Sequence, residues 1–191
     1  MPVRLRPAVL DDAEALAALA RSQREHLAPW EPERPARWFT EAGQREALEQ
    51  AEHDRAADRS YAFLITDAAG SIFGRLTLAS VVRGAGQFCS IGYWIDRREA
   101  GRGLTPTAVA MATDWAFRSA GLHRVEVNIR PDNVASLRVV SKLGMRDEGT
   151  RRGYLHIAGA WHDHRSFALT VEDLAGERVV DRLKRLSQAP L

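Results

Sequence analysis

Two glycines separated by one residue interrupt the chain between a strand-like apolar run and a long amphipathic run. The loop spans residues 94–105, Trp-Ile-Asp-Arg-Arg-Glu-Ala-Gly-Arg-Gly-Leu-Thr. Leu104, Ala108, Met111 and Trp115 then recur at the spacing of a helix. Glycine permits positive φ angles, so successive N–H groups can turn toward one anion, and the helix start adds its unpaired N–H groups. This arrangement predicts a cradle for a pyrophosphate.

The segments before this loop predict an antiparallel meander that follows an opening strand. Apolar or alternating runs of strand length are separated by turn residues, such as Asp-Ala-Ala-Gly at 67–70. Strands are predicted at about 3–6, 61–66, 72–82 and 88–96. The glycine loop begins at the end of the last of these strands.

Two helices are predicted between the opening strand and the meander. The Asp-Asp pair at 11–12 is expected to cap the first helix, which ends near an Ala-Pro pair. Three prolines within residues 29–35 forbid a helix and stiffen a loop that carries a tryptophan and a glutamate. The second, charge-rich helix is expected at about 36–53. The loop suits substrate recognition, and a structural corner would use the same residues.

Downstream of the glycine loop, helices and strands alternate before a final hairpin and helix. The pattern predicts a strand at 125–129, a short helix that ends at Gly144, strands at 145–157 and 161–171, and a last helix from Val179. The fold class is therefore α/β, with a mixed, mostly antiparallel twisted sheet flanked by helices. We expect one domain over residues 1–191.

Charge and composition exclude several classes of protein. The net charge of +2 is too small to indicate nucleic-acid binding, and no segment approaches the ~20 apolar residues of a membrane span. The first six residues lack the apolar run of a signal peptide, and the histidines lack metal-ligand spacing. The single cysteine, Cys89, lies in a strand-like run and is expected in the core. We expect a cytoplasmic protein without a membrane, direct nucleic-acid or metal partner.

The glycine loop and a later helix resemble the GNAT acetyltransferase superfamily. Residues 100–105, Ala-Gly-Arg-Gly-Leu-Thr, are similar to its Q/R-x-x-G-x-G/A acyl-CoA loop, and residues 133–145 are similar to its N-x-x-S helix ending in L-G-F. Ala100 and Thr105 depart from the loop pattern, which is also satisfied two residues earlier, from Arg98. The later register is preferred because it places a glycine at the helix start, and Arg98 could supply the missing side chain.

Further segments resemble the RimJ and RimL type of ribosomal-protein-alanine N-acetyltransferases, more closely the RimJ side. They are Ala-Pro-Trp-Glu-Pro at 28–32, Val-Val-Arg-Gly at 81–84, Ile-Gly-Tyr-Trp at 91–94, Tyr-Leu-His-Ile at 154–157 and Gly-Ala-Trp-His-Asp-His at 159–164. The resemblance covers nearly the whole chain.

The resemblance implies acetyl-CoA as cosubstrate, with backbone N–H groups of the last meander strand holding the pantetheine and polarising the thioester carbonyl. The residues implied to bind it are Trp94, Ile95, Asp96, Arg98, Ala100, Gly101, Arg102, Gly103, Leu104, Thr105, Asn133 and Ser136. The implied acceptor is the N-terminal amine of a protein, with a small-subunit ribosomal protein as one candidate. An α-amine titrates near ~7.7–8.0 against ~10.4 for lysine, so it is the easier amine to deprotonate at neutral pH. The chain is expected to be a monomer or a homodimer.

Two side chains are the predicted catalytic groups. Ser136 lies where RimL-type enzymes place the serine that protonates the departing thiolate, although a serine there could instead bond to its own helix. Asn133 is either the cap of that helix or a cofactor contact. The glutamate that RimL-type enzymes carry before the last hairpin aligns with Leu155 here. Glu31 in the proline-rich loop is therefore the candidate base, with a solvent-facing glutamate as the alternative.

Aromatic and histidine side chains near the C-terminal strands have two interpretations. Tyr93, Tyr154 and Trp161 either line the acceptor pocket or pack in the core. His162 and His164 share one face of a strand, where a structural hydrogen bond is the commoner outcome.

Two other functions are compatible with the sequence. The acceptor could be a small amine such as an antibiotic or a polyamine, because related folds acetylate both kinds of acceptor. Alternatively, the chain could be a non-catalytic module that binds acyl-CoA or docks on the ribosome.

Overall fold

A seven-stranded sheet organises residues 3–188, the part of the chain that this computed structural model describes. Residues 1–2 and 189–191 lie outside the described residues. Both ends of the expected 1–191 domain fall there, as does the start of the segment that lacks a signal-peptide pattern. Within residues 3–188, no helix combines the length and the apolar character that crossing a membrane requires.

The sheet is mixed, as the sequence predicts. Its strands are β1 (Arg4–Pro7), β2 (Tyr61–Thr66), β3 (Ile72–Val82), β4 (Phe88–Ile95), β5 (Arg124–Ile129), β6 (Arg146–Ile157) and β7 (Ala160–Thr170). They lie in the order β1-β2-β3-β4-β5-β7-β6. Only β4 and β5 pair in parallel; every other neighbouring pair is antiparallel.

Within residues 3–188, five α-helices connect and cover these strands, and their predicted order is confirmed. They are α1 (Ala13–Leu27), α2 (Glu41–Ala56), α3 (Leu104–Arg118), α4 (Val134–Lys142) and α5 (Val179–Gln188). Helix α3 forms the crossover between β4 and β5, because parallel strands cannot be joined by a short hairpin. Helix α4 is followed by Gly144 at φ +62°, the left-handed geometry of a C-terminal glycine.

The first helix starts directly after the Asp-Asp pair, as predicted, but without the expected side-chain cap, and the predicted start of the second helix is wrong. Asp12 does not cap α1 through its side chain; its carboxylate binds the Arg6 guanidinium at 2.6 and 2.8 Å and accepts from the Val9 N–H. The second helix begins at Glu41 rather than near 36, because residues 36–39 form a 3₁₀ turn. Thr40 is extended and accepts the Gly43 N–H at 3.1 Å, so a threonine cap sets this boundary.

The main core lies between one sheet face and α3. Leu76, Leu78 and Ile91 are buried there, and α3 presents mostly small side chains, which lets the helix approach the sheet closely. Cys89 is fully buried in this core, as predicted, and burial raises the pKa of its thiol to about 12. Helices α1 and α2 contribute a smaller cluster on the opposite face, which includes Leu64 of β2.

The parallel ladder between β4 and β5 is short. It consists of Phe88 opposite Arg124, Cys89 opposite Val125, and Ser90 opposite Glu126. Strand β4 continues for five residues beyond Ser90, to Ile95, while β5 continues in register with β7. The two central strands therefore diverge after Ser90, which leaves the β5-facing backbone edge of β4 without a strand partner.

Gly74 allows β3 to pack closely against β4, and replacing it provides a test of this part of the sheet. A Cβ on Gly74 would lie 2.2 Å from the Trp94 carbonyl oxygen, a backbone atom that cannot swing away. We expect Gly74→Ala to lower the free energy of unfolding by about 1–3 kcal/mol. Gly92→Ala is the matched control, because a Cβ there would meet no atom within 4 Å. Equal denaturant midpoints for the two variants would contradict this packing.

Candidate active site

The glycine loop presents a row of unpaired backbone donors. Gly101 and Gly103 adopt φ angles of +79° and +76°, and Gly103 is the N-cap of α3. The N–H groups of residues 101–105 donate to no acceptor within residues 3–188. Pro106 has no N–H, and the Thr107 N–H is the first to bond into the helix, at 3.4 Å from the Gly103 oxygen. Five consecutive unpaired amides therefore lie at the positive end of the α3 dipole, where the sequence predicts an anion cradle.

These amides border a cavity of about 400 Å³ between β4, α3 and α4, here called the cradle cavity. Nine of the predicted cofactor residues line it: Trp94, Ile95, Ala100, Gly101, Gly103, Leu104, Thr105, Asn133 and Ser136. Arg138 and Lys142 line it too, and the sequence analysis missed both. Their four-residue spacing, which places both on one side of α4, is the signal that could have found them.

Asp96, Arg98 and Arg102 do not line the cradle cavity. The buried Asp96 carboxylate accepts from Gln23 Nε2 at 3.0 Å, from the Arg98 N–H at 2.9 Å and from Arg98 Nη2 at 2.6 Å. Arg98 thereby keeps the pKa of Asp96 below its usual range despite the opposing effect of burial. Arg102 pairs with Glu99. In this structure these residues fix the loop, and their contact with a phosphate stays a prediction.

A second cavity, of about 450 Å³, lies across β4 from the cradle cavity and is here called the acceptor cavity. Glu31, Arg34, Arg75 and His164 are among the residues that line it. The two cavities share Leu27, Trp30, Tyr93, Trp94, Asn133 and Ser136. They therefore meet beside the diverging edge of β4, so molecules entering from either side would come together there.

Ser136 lies at this junction, and its hydroxyl is not bonded to its own helix. Its backbone N–H donates to Asn133 Oδ1 at 3.1 Å, so Asn133 is the cap of α4. The Ser136 hydroxyl makes no hydrogen bond to its own helix, whereas the Thr107 and Thr113 hydroxyls each donate to the carbonyl four residues back. The alternative interpretation, in which the Ser136 hydroxyl bonds to its own helix, is therefore wrong. The Ser136 oxygen is available to a bound molecule.

Tyr93 is the second hydroxyl at the junction. Its Oη is buried and has no hydrogen-bond partner of good geometry within residues 3–188. Burial raises the pKa of Tyr93 to about 12, an effect that the neighbouring Ser136 hydroxyl partly offsets. Tyr93 therefore lines both cavities with a proton that it keeps at neutral pH.

Glu31 belongs to a loop that is held over the acceptor cavity. Its carbonyl accepts the Ala158 N–H at 3.1 Å, which ties the proline-rich loop to the β6–β7 turn. Its carboxylate lies 3.6 Å from Arg34 Nε and is half-buried. Glu31 is thus a lining residue of the cavity rather than a solvent-facing glutamate.

His164 is a titratable group in the acceptor cavity that the sequence analysis expected to be structural. The imidazole is 4% exposed, and its Nδ1 donates to the His162 carbonyl at 3.0 Å, the expected structural bond. Burial, together with the Arg130 charge, lowers the pKa of His164. The ring is therefore neutral at pH 7, with Nε2 able to accept a proton.

Trp161 is 67% exposed and lies outside both cavities, as does Tyr154.

Known proteins are similar to this chain over most of its length. A family model described as an acetyltransferase (GNAT) domain matches residues 3–146. Probable N-acetyltransferase YjcK of Bacillus subtilis (strain 168) is 31% identical over 172 residues, 90% of this chain and 95% of that protein. The ribosomal protein uS5-alanine N-acetyltransferase of Escherichia coli (strain K12) is 32% identical over 168 residues, 85% of this chain and 84% of that protein.

A solved structure gives the same result in three dimensions. Mycobacterium smegmatis RimJ in complex with CoA-disulfide superposes with a TM-score of 0.92 at 32% identity, covering 97% of this chain and 90% of that one. Together with the family match over residues 3–146, this shows that the chain belongs to the GNAT family of acetyltransferases.

Proposed function

We propose that this chain transfers the acetyl group of acetyl-CoA to the N-terminal α-amine of a protein, with a small-subunit ribosomal protein as the first candidate. The observation that carries the proposal is the row of five unpaired amides at residues 101–105, which borders a cavity that meets a second cavity at Tyr93 and Ser136. Relatives named as ribosomal-protein-alanine N-acetyltransferases support the choice of acceptor.

The cradle cavity suits coenzyme A by its chemistry. Five N–H donors at a helix N-terminus, together with the Arg138 and Lys142 side chains that line the same cavity, match the two negative charges of a diphosphate. When bound, acetyl-CoA would supply an activated acetyl thioester. The unpaired edge of β4 beside Trp94 and Ile95 offers backbone N–H groups that would orient the pantetheine chain and stabilise negative charge on the carbonyl oxygen.

The chain's own side chains would manage the protons. Ser136 Oγ, free of its helix, would give its proton to the leaving sulfur, and Tyr93 Oη, which keeps its own proton, would donate a hydrogen bond to the serine oxygen until solvent water restores the serine proton. On the acceptor side, neutral His164 Nε2 or the Glu31 carboxylate would take a proton from the amine. Because an α-amine is partly neutral at pH 7, the reaction does not require a strong base.

The proposal extends to the setting of the protein. We propose that residues 1–191 act as one GNAT domain in the cytoplasm, where acetyl-CoA and newly made protein N-termini meet. A monomer or a homodimer that binds no nucleic acid directly fits the small net charge of +2.

Removing the Ser136 hydroxyl at the junction tests the proton donor. We expect Ser136→Ala to lower kcat about 100-fold, the lower range for general acid catalysis, with little change in the Kd for acetyl-CoA. Steady-state CoA release and calorimetric titration measure the two quantities. Ser141→Ala, an exposed serine on the same helix, is the matched control. A kcat within twofold of the parent for Ser136→Ala would exclude the hydroxyl as the donor.

A panel of acceptors tests the substrate class. The parent protein should release CoA with peptides that begin with Ala or Ser at a kcat/KM at least about tenfold above that for the same peptides blocked at the α-amine and carrying a lysine. The physical reason is the lower pKa of the α-amine. Preference for polyamines or aminoglycosides would instead assign a small-molecule acetyltransferase. Binding of acetyl-CoA without turnover of any amine would assign a non-catalytic module.

A further inference from the structure

Arg75 is an arginine of the acceptor cavity that the proposed chemistry does not use. It lies on β3, directly opposite Trp94 of β4 and Leu64 of β2, and its half-buried side chain lines the cavity. A guanidinium carries five N–H donors. The Arg75 guanidinium forms no hydrogen bond and no ion pair with any other residue within 3–188.

Acidic side chains near Arg75 already have other partners. Within residues 3–188, Glu31 is the only acidic side chain that lines the acceptor cavity, and its carboxylate lies 3.6 Å from Arg34 Nε. On the α2 side, Glu46 pairs with Arg37, and Asp54 pairs with Arg59 at 2.7 Å. Arg34, Arg37 and Arg59 thus each pair with a carboxylate, whereas Arg75 has no ion pair or hydrogen bond with an acidic side chain within residues 3–188.

The environment of Arg75 makes an unpaired charge costly. Burial lowers the pKa of Arg75, the Arg34 charge lowers it further, and Glu31 opposes the shift only in part. An arginine still keeps its charge at working pH. A desolvated cation without a partner is unfavourable unless an anion completes it, and a carboxylate is the group that a guanidinium fork binds best.

We infer that Arg75 binds a carboxylate of the acceptor and so selects peptides with an acidic residue at the second or third position. Neighbouring strands lie about 4.8 Å apart, so Arg75 is one strand away from the edge of β4 where the amine would react. An extended peptide advances about 3.3–3.6 Å per residue, which places the side chain of its second or third residue within reach. The inference rests on the proposed N-terminal acetylation.

Matched peptides test this selectivity. Ala-starting peptides that carry Asp or Glu at position two or three are compared with the same peptides carrying Asn, Gln or Lys. At one of these positions we expect the parent protein to prefer the acidic peptide over its amide counterpart by about tenfold in kcat/KM, the contribution of one charge-assisted hydrogen bond. Arg75→Gln should reduce this ratio to near one, and Arg75→Glu should favour the Lys peptide.

Arg37→Gln is the control variant, because Arg37 is exposed, pairs with Glu46 and does not line the acceptor cavity. It should keep the preference for acid. Thermal melting and acetyl-CoA titration check that each variant folds. If Arg75→Gln does not fold, Arg75→Lys takes its place, because lysine keeps the positive charge but cannot form two parallel hydrogen bonds to a carboxylate. Arg75→Lys should still prefer the acidic peptide, but by a smaller ratio.

Three outcomes decide the inference. Equal turnover of acidic and amide peptides by the parent protein would overturn it and leave the proposed function intact. An acid preference that persists unchanged in Arg75→Gln would also overturn it. Failure of the parent protein to acetylate any peptide, acidic or neutral, would overturn both the proposed function and this inference.

Discussion

The divergence of β4 from β5 after Ser90 is the constraint on which the site depends. A parallel pair that stayed in register would bury both edges and close the sheet. Here the pairing of β4 with β5 ends at Ser90 and Glu126, and from there to Ile95 β4 is paired only with β3 on its other edge. The resulting opening lets the cradle cavity and the acceptor cavity meet at Tyr93 and Ser136. An unpaired strand edge is costly in a folded core, and a bound molecule that takes up its N–H groups relieves that cost.

The loop after β4 and the start of α3 supply the second half of the geometry. Asp96 ties Gln23 of α1 and Arg98 of the loop to the end of β4, so the backbone enters the glycine loop along a fixed path. Positive φ angles at Gly101 and Gly103 then turn successive amides to one side. The cradle is therefore built from backbone whose direction does not depend on long, mobile side chains. That rigidity suits the binding of a diphosphate.

Local patterns predicted the strands and the anion loop because each follows from a few neighbouring residues. The meander, the crossover helix and Gly103 at the start of α3 needed only periodicity and turn chemistry. The start of α2 was wrong because a threonine cap and a 3₁₀ turn outweighed the helical composition of residues 36–40. The roles proposed for Arg75 and His164 could not be predicted, since they depend on burial and on charges that separate strands and loops bring together.

Hydrogen–deuterium exchange tests the central claim, that the amides of residues 101–105 hold the diphosphate of the coenzyme. These amides have no acceptor in the described chain and should exchange rapidly in the free protein. Saturating acetyl-CoA should slow exchange in a peptide that spans residues 101–105 and leave the β6–β7 turn at 158–159 unchanged. Calorimetric binding of acetyl-CoA without slower exchange at 101–105 would contradict the account.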